Sequence, residues 1–181
     1  MPAPAEKTGR LLIAGVGYPF LHDWSVGPRV AAEMMRREWP ANVTVDDWSF
    51  SPLDAVWKLK SADPPYQRVV FFGSIERGRP PGTVVRRFWD RSELGTPEEV
   101  QARVGEAATG VIGLENTVQI CGIFEALPEE VVLIEIEPEI EQWGDGYSAA
   151  VEASLPVLVG YIEEEAAAAS QVAATVHRES Q

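Results

Sequence analysis

Few side chains in this sequence combine lone pairs with a position where chemistry could occur. His22 and Asp23 follow a first apolar run, Asp46 and Asp47 close a second, Ser74 and Glu76 close a third, and Glu115 opens a later helical pattern. An imidazole and several carboxylates could hold a divalent metal, which needs about three or more deprotonated N, O or S donors. They could also exchange protons. His177 lies near the C-terminal end, so His22 is the one imidazole on offer to such a site. The plainer expectation is that His22 is an exposed loop residue, and that Asp23 and Asp47 brace loop backbone. Ser74 has no histidine near it in sequence, and no Gly-x-Ser-x-Gly elbow is present, so it is not expected to be a nucleophile. Cys121 sits in an apolar helical pattern, where a thiol is buried and inert. Gly15-Val16-Gly17 after an apolar run could cradle a phosphate at a helix start. Phe20 stands where a third glycine would be, and no Walker lysine follows. Nucleotide binding is not expected.

The elements that must position these residues alternate between strand and helix. Leu11–Gly15 reads as a buried strand. Val26–Trp39 reads as an amphipathic helix, with Pro28 in its first turn and Pro40 ending it. Val43–Trp48 is a second strand, and Pro52–Leu59 a short helix capped by Ser51. Arg68–Gly73 is a third strand. Pro80-Pro81-Gly82 forces a turn into Thr83–Trp89, an edge strand. Ser92–Ala108 is more polar and reads as a short helix or lid-like insertion, with Thr96-Pro97-Glu98-Glu99 as its start signal. Leu114–Ala126 is an apolar helix and Glu129–Glu137 a fifth strand. Ser148–Ala169 is a long helix capped by Ser148, with a kink or break expected at Pro156. The pattern predicts a single α/β domain over 1–169, a three-layer αβα sandwich on a mostly parallel, five-stranded sheet, and a frayed tail over 170–181. Ligands of such sheets bind at the carboxyl ends of the strands. That rule places Gly15–Ser25, Asp46–Ser51, Gly73–Gly78 and 109–118 around one cleft.

Composition narrows the class. The chain has 181 residues, 45% of them apolar, enough for one domain with a sizeable core. No apolar stretch is long enough to span a bilayer. The polar start, Met1 to Gly9, lacks the apolar centre of a signal peptide. One cysteine suits a reducing compartment. Membrane insertion is therefore not expected, and the cytoplasm is the expected location. The net charge of −13 argues against nucleic acid as a partner. The charge is lopsided: residues 1–91 carry 13 basic and 10 acidic side chains, and residues 92–181 carry 2 and 18. This is either a solvated face or a surface that steers a basic partner.

Several motifs fall in the order of one family. Gly15-x-Gly17, Asp23, Gly27-Pro28-Arg29, Asp46-Asp47, Pro81-Gly82-Thr83, Thr117-x-Gln119-x-x-Gly122, Ile136-Glu137-Pro138-Glu139 and Trp143-Gly144-Asp145-Gly146 span about Leu11 to Glu165. Together they resemble the hydrogenase maturation proteases, nickel-sensing endopeptidases that trim the large subunit of nickel–iron hydrogenases. The resemblance implies their fold and a nickel site, and it marks where this chain departs. Tyr18 replaces an asparagine. Trp24, Ser74 and Val118 stand at the three positions where the family keeps its metal ligands, while Gln119 is retained. An indole N–H only donates, a valine has no donor atom, and a neutral serine is a feeble ligand. No cofactor is therefore expected. The resemblance implies a noncatalytic protein that binds a hydrogenase large subunit, its precursor or a maturation chaperone. The alternative is an active endopeptidase whose metal site has moved to His22, Asp23, Asp46, Asp47, Glu76 and Glu115. A small-molecule-binding α/β module is a third class. Tyr18, His22, Asp23, Trp24, Asp47, Trp48, Ser74, Glu76 and Gln119 are the candidate cleft or partner-binding residues. Trp24 and Trp48 are either core filling or anchors for a bound peptide.

Overall fold

A computed structural model describes residues 9–109 and 112–179, with backbone alone at 108 and over 171–179. The strands are β1 (Leu11–Gly15), β2 (Val43–Asp47), β3 (Arg68–Ser74), β4 (Val84–Phe88) and β5 (Glu130–Ile136). The helices are α1 (Val26–Met34), α2 (Pro52–Ser61), α3 (Pro97–Ala108), α4 (Leu114–Ile123) and α5 (Ala149–Glu179). Short 3-10 turns cover His22–Ser25 and Arg91–Glu93. The sheet order is β2-β1-β3-β5-β4. β1 pairs in parallel with β2 and β3, and β3 with β5, whereas β4 runs antiparallel to β5 at the edge.

Two cores explain why the central strands are apolar on successive residues. Leu11, Ile13, Val70, Phe72, Val132 and Ile134 face α1 and α5. Leu12, Ala14, Val69, Phe71, Val131 and Leu133 face the other way, against α2 and α4. A parallel sheet covered on both faces demands apolar residues at both parities, and that is the αβα sandwich expected from the sequence.

Local chemistry sets the boundaries. Ser51 Oγ accepts from Leu53 N–H (3.3 Å), and Thr96 and Glu99 form a reciprocal capping box at the start of α3. Ser148 Oγ accepts from Val151 N–H (3.3 Å) at the start of α5. α1 stops at Met34, short of the expected Trp39: the chain tightens into i→i+3 bonds, and the Met34 carbonyl accepts from both the Arg37 N–H (3.0 Å) and the Trp39 indole N–H (2.8 Å). α5 departs from expectation in two ways. Its helix is unbroken through Pro156, and its backbone continues from Ala169 to Glu179, where a frayed tail was expected. Residues 180 and 181 fall outside the described residues.

The charge asymmetry also has a structural resolution. Arginines of the first half pair with acids of the second: Arg29 with Asp145, Arg37 with Glu163, Arg68 with Glu130 and Glu165, Arg77 with Glu115 and Glu135, and Arg86 with Glu164. Much of the lopsided charge is therefore internal complementarity between sequence halves rather than one free acidic face.

Candidate functional site at the carboxyl edge of the sheet

The loop after β1 is held by close backbone approach. A Cβ on Gly27 would lie 2.1 Å from the Val16 carbonyl oxygen, and one on Gly73 would lie 2.2 Å from it. These glycines let the end of β1, the start of α1 and the end of β3 meet backbone to backbone. The glycine pattern around Gly15 and Gly17 therefore serves packing.

Asp23 is the organising side chain. It is fully buried. One carboxylate oxygen accepts from the Glu139 (2.8 Å) and Ile140 (2.9 Å) N–H groups, and the other from Ser148 N–H (2.7 Å). A single side chain thus ties the β1–α1 loop to the β5–α5 loop and to the start of α5. The two loops also zip through backbone: Gly144 N–H donates to the Phe20 carbonyl (2.8 Å), and His22 N–H donates to the Gly144 carbonyl (3.2 Å). The His22 ring lies over Gly144, where a Cβ would come within 2.5 Å of Nε2. Ser74 is buried, and its hydroxyl donates to the Asp23 backbone carbonyl. Trp24 is half-buried, and its carbonyl accepts from Tyr18 N–H (3.0 Å).

The other candidates are distributed differently. Asp47 accepts from Ser49 N–H (3.0 Å), and Ser49 Oγ in turn accepts from Gly17 N–H (3.2 Å), so Asp47 braces backbone as the sequence implies. Trp48 is 2% exposed and packs on Phe50 and Phe71, with its indole N–H donating to Asp46 (3.0 Å). It is a core residue and not a rim anchor. Glu76 is exposed. Gln119 is buried, donating to the Glu93 carbonyl (2.9 Å) and accepting from Gly95 N–H (3.3 Å), which fastens the segment before α3 to α4. Tyr18 is half-buried. Burial raises its phenol above the ordinary value; the Ile112 N–H opposes this, and the charges of Glu141 and Glu106 add to the rise. Cys121 is buried, and burial pushes its thiol up to about 12, so it is no nucleophile.

A charged cavity of about 390 Å³ opens beside α4, lined by Arg77, Arg87, Trp89, Glu93, Glu115, Val118, Gln119 and Leu133. Sequence reasoning missed the carboxylate that holds two of its lining arginines, Arg77 and Arg87. Glu135 is fully buried on the α4 side of β5, where it meets Arg77 (3.3 Å), Arg79 (2.6 Å) and Arg87 (3.0 Å). Burial pushes its carboxyl up, but hydrogen bonds from Arg79 and Arg87 and the charge of Arg77 outweigh this, so it lies below the usual value. Next along the chain on this face, Glu137 accepts from the Arg77 (2.9 Å) and Gly78 (2.8 Å) N–H groups and shapes the turn after β3. The available signal was a glutamate at an inward register within the apolar run Val131–Ile136.

The molecule is thus a three-layer α/β protein whose carboxyl-edge loops are locked by a glycine frame and a buried aspartate. Across most of its length it is similar to the hydrogenase maturation proteases. A hydrogenase 2 maturation peptidase from a Thaumarchaeota archaeon superposes with a TM-score of 0.60 at 27% identity, covering 86% of this chain and 96% of that one. The hydrogenase maturating endopeptidase HybD of Escherichia coli gives 0.62 at 18% identity, over 84% and 89%. The [NiFe] hydrogenase maturation protease HycI of Thermococcus kodakarensis gives 0.56 at 19% identity, over 88% and 94%. No family model matches the chain, and no curated protein matches it.

The nickel site that the resemblance implies does not fit these residues. Of the three slots, Ser74 is bonded to backbone, Val118 is a buried hydrocarbon, and Trp24 offers no lone pair. Both oxygens of the neighbouring Asp23 carboxylate are taken by backbone N–H groups. Among the described residues, no three His, Cys, Asp or Glu side chains gather as a metal ion would require. Also among the described residues, no helix is long and apolar enough to cross a membrane.

Proposed function

We propose that this chain is a noncatalytic relative of the hydrogenase maturation proteases, which binds a nickel–iron hydrogenase large subunit, its precursor or a maturation chaperone without cutting it. The observation that carries this is the state of the three ligand slots together with Asp23, whose carboxylate is engaged in holding loops. A peptidase of this type needs an electrophile or an activated water at the scissile carbonyl, and the cleft side chains supply neither. The loops that would present a partner segment at the carboxyl edge of the sheet are bracketed by Asp23 and by the Gly144 backbone. The alternative of a working endopeptidase with a moved metal site finds no support from His22, which stacks over Gly144, or from Asp47, which braces Ser49.

The test is incubation of the purified protein with a nickel-loaded large-subunit precursor, followed by mass spectrometry of the precursor and by interferometry for binding. The expected result is binding with the C-terminal extension retained. Specific removal of the extension by the pure protein would overturn the noncatalytic assignment. No binding to any hydrogenase component at micromolar concentration would end the assembly role.

A further inference from the structure

We infer that the face formed by Phe20 and Trp143 is a docking site for a segment of a partner protein that carries an arginine or lysine beside an apolar side chain. These two rings come from the two loops that Asp23 and Gly144 lock together. Phe20 is 63% exposed and Trp143 80% exposed. The backbone of Phe20 has φ +63, in the left-handed region that a bulky side chain rarely adopts. The conformation is held by backbone pairing to the second loop and not by burial of the ring, which is largely exposed. Its carbonyl accepts from Gly144 N–H, one residue from Trp143, so the two aromatic residues sit on adjoining, paired backbone. Rigid, exposed aromatics on locked loops are preorganised contacts that lose little entropy on binding.

The charge around them selects the occupant. Glu139, Glu141 and Glu106 are exposed. Glu141 and Glu106 both lie close enough to Tyr18 to raise its phenol. Several acids of the second half pair with arginines of the first, among them Glu130, Glu135, Glu163, Glu164 and Glu165. Among the described residues Glu139, Glu141 and Glu106 have no ion-pair partner, and Asp145 alone in this loop has one, Arg29. A cation from outside would meet unpaired carboxylates and, at Trp143, the indole face that best attracts an ammonium or guanidinium. Phe20 supplies the apolar contact. The face is therefore complementary to a basic, apolar-anchored segment and repels an acidic one.

The inference rests on the proposed function only for the partner's identity, and it can be tested without a hydrogenase. Fluorescence anisotropy is read with three labelled twelve-residue peptides: one alternating arginine and leucine, one with glutamate for arginine, and one with serine for leucine. The arginine–leucine peptide is expected to bind, and the other two to bind at least about tenfold more weakly. Trp143→Ser and Phe20→Gly are each expected to weaken it at least about tenfold. Glu139→Gln with Glu141→Gln is expected to flatten the salt dependence. Phe20→Gly should keep or raise the melting temperature, since glycine accepts the left-handed backbone, so a binding loss there is not unfolding. Unchanged binding by both ring variants, or equal binding of all three peptides, overturns the inference, as does failure of the arginine–leucine peptide to bind at about 1 mM. Self-association that Trp143→Ser abolishes would reassign the face to a second copy of the chain and also overturns it. Hydrogenase binding that survives Trp143→Ser would reject this face but leave the assembly role standing. Peptide binding without hydrogenase binding would do the reverse.

Discussion

Replacing Asp23 by alanine separates a structural bracket from a chemical group. The carboxylate accepts three backbone N–H bonds inside a fully buried site. A hydrogen bond to a charged group contributes about 1.5–3 kcal/mol net, and a buried donor left unpaired costs about 1–3 kcal/mol. Simple addition would overshoot, because Glu139 sits on exposed loop and water can reach its freed N–H. Asp23→Ala should therefore cost about 3–5 kcal/mol, a large part of the ~5–15 kcal/mol that holds a domain together. Asp23→Asn should cost roughly half of that. Its carbonyl can serve the Glu139 and Ile140 N–H pair, but its amide then faces the Ser148 N–H donor to donor. Urea unfolding gives the magnitude, and amide exchange gives the location: protection at Glu139, Ile140 and Ser148 should fall, while that of β3 persists. A loss under about 1 kcal/mol, or unchanged protection at those three amides, would refute the bracket.

Two further substitutions follow from the same packing. Trp48→Ala should destabilise by about 3–5 kcal/mol in urea unfolding, with no selective loss of partner binding at concentrations where the variant is folded, because the residue is core. Glu135 should leave a signature in the acid limb of stability. Its carboxyl is held below the ordinary 4.5, so its contribution is present above that value and disappears as pH falls through the lower, folded-state one. Glu135→Gln should lose about 3–5 kcal/mol near neutrality, by leaving Arg79 without a carboxylate and Arg77 and Arg87 with one each, and should show a shallower loss as pH falls below 4.5. Parallel acid limbs for the two proteins would remove Glu135 from the account.

The fold was legible because its signals are local and redundant. Apolar runs at strand length, prolines at helix starts, and the Ser51, Thr96 and Ser148 caps each set an element without reference to the rest. The errors fell where a distant or nonstandard partner decides. Trp39 lies beyond the end of α1 and donates its indole N–H back to Met34, a contact that helix periodicity does not encode. The candidate site was legible in its frame and illegible in its use. Asp23 and Asp47 stood out as braces, but what they brace lies more than a hundred residues away for Asp23 and two residues away for Asp47. The tryptophans were weighed by their neighbours in sequence. Trp48 then proved buried, and Trp143, noticed only as part of a motif, proved the most exposed of the large apolar side chains.

On the proposed noncatalytic reading, these placements together account for how the loops keep their geometry without a metal. In a metal site the carboxyl-edge loops are organised partly by the ion, which draws the side chains of separate elements together. Here that task falls to groups that need no ion: the Asp23 carboxylate on three N–H groups, the Ser74 hydroxyl on the Asp23 carbonyl, and the Gly144 backbone zipped to Phe20 and His22. On the proposed noncatalytic reading, Trp24, Ser74 and Val118 at the ligand positions would therefore carry no penalty for loop geometry. What selection can still act on is the surface those loops present. That surface bears two exposed rings, Phe20 and Trp143, and exposed acids, and on the proposed reading these are the groups that hold a chain.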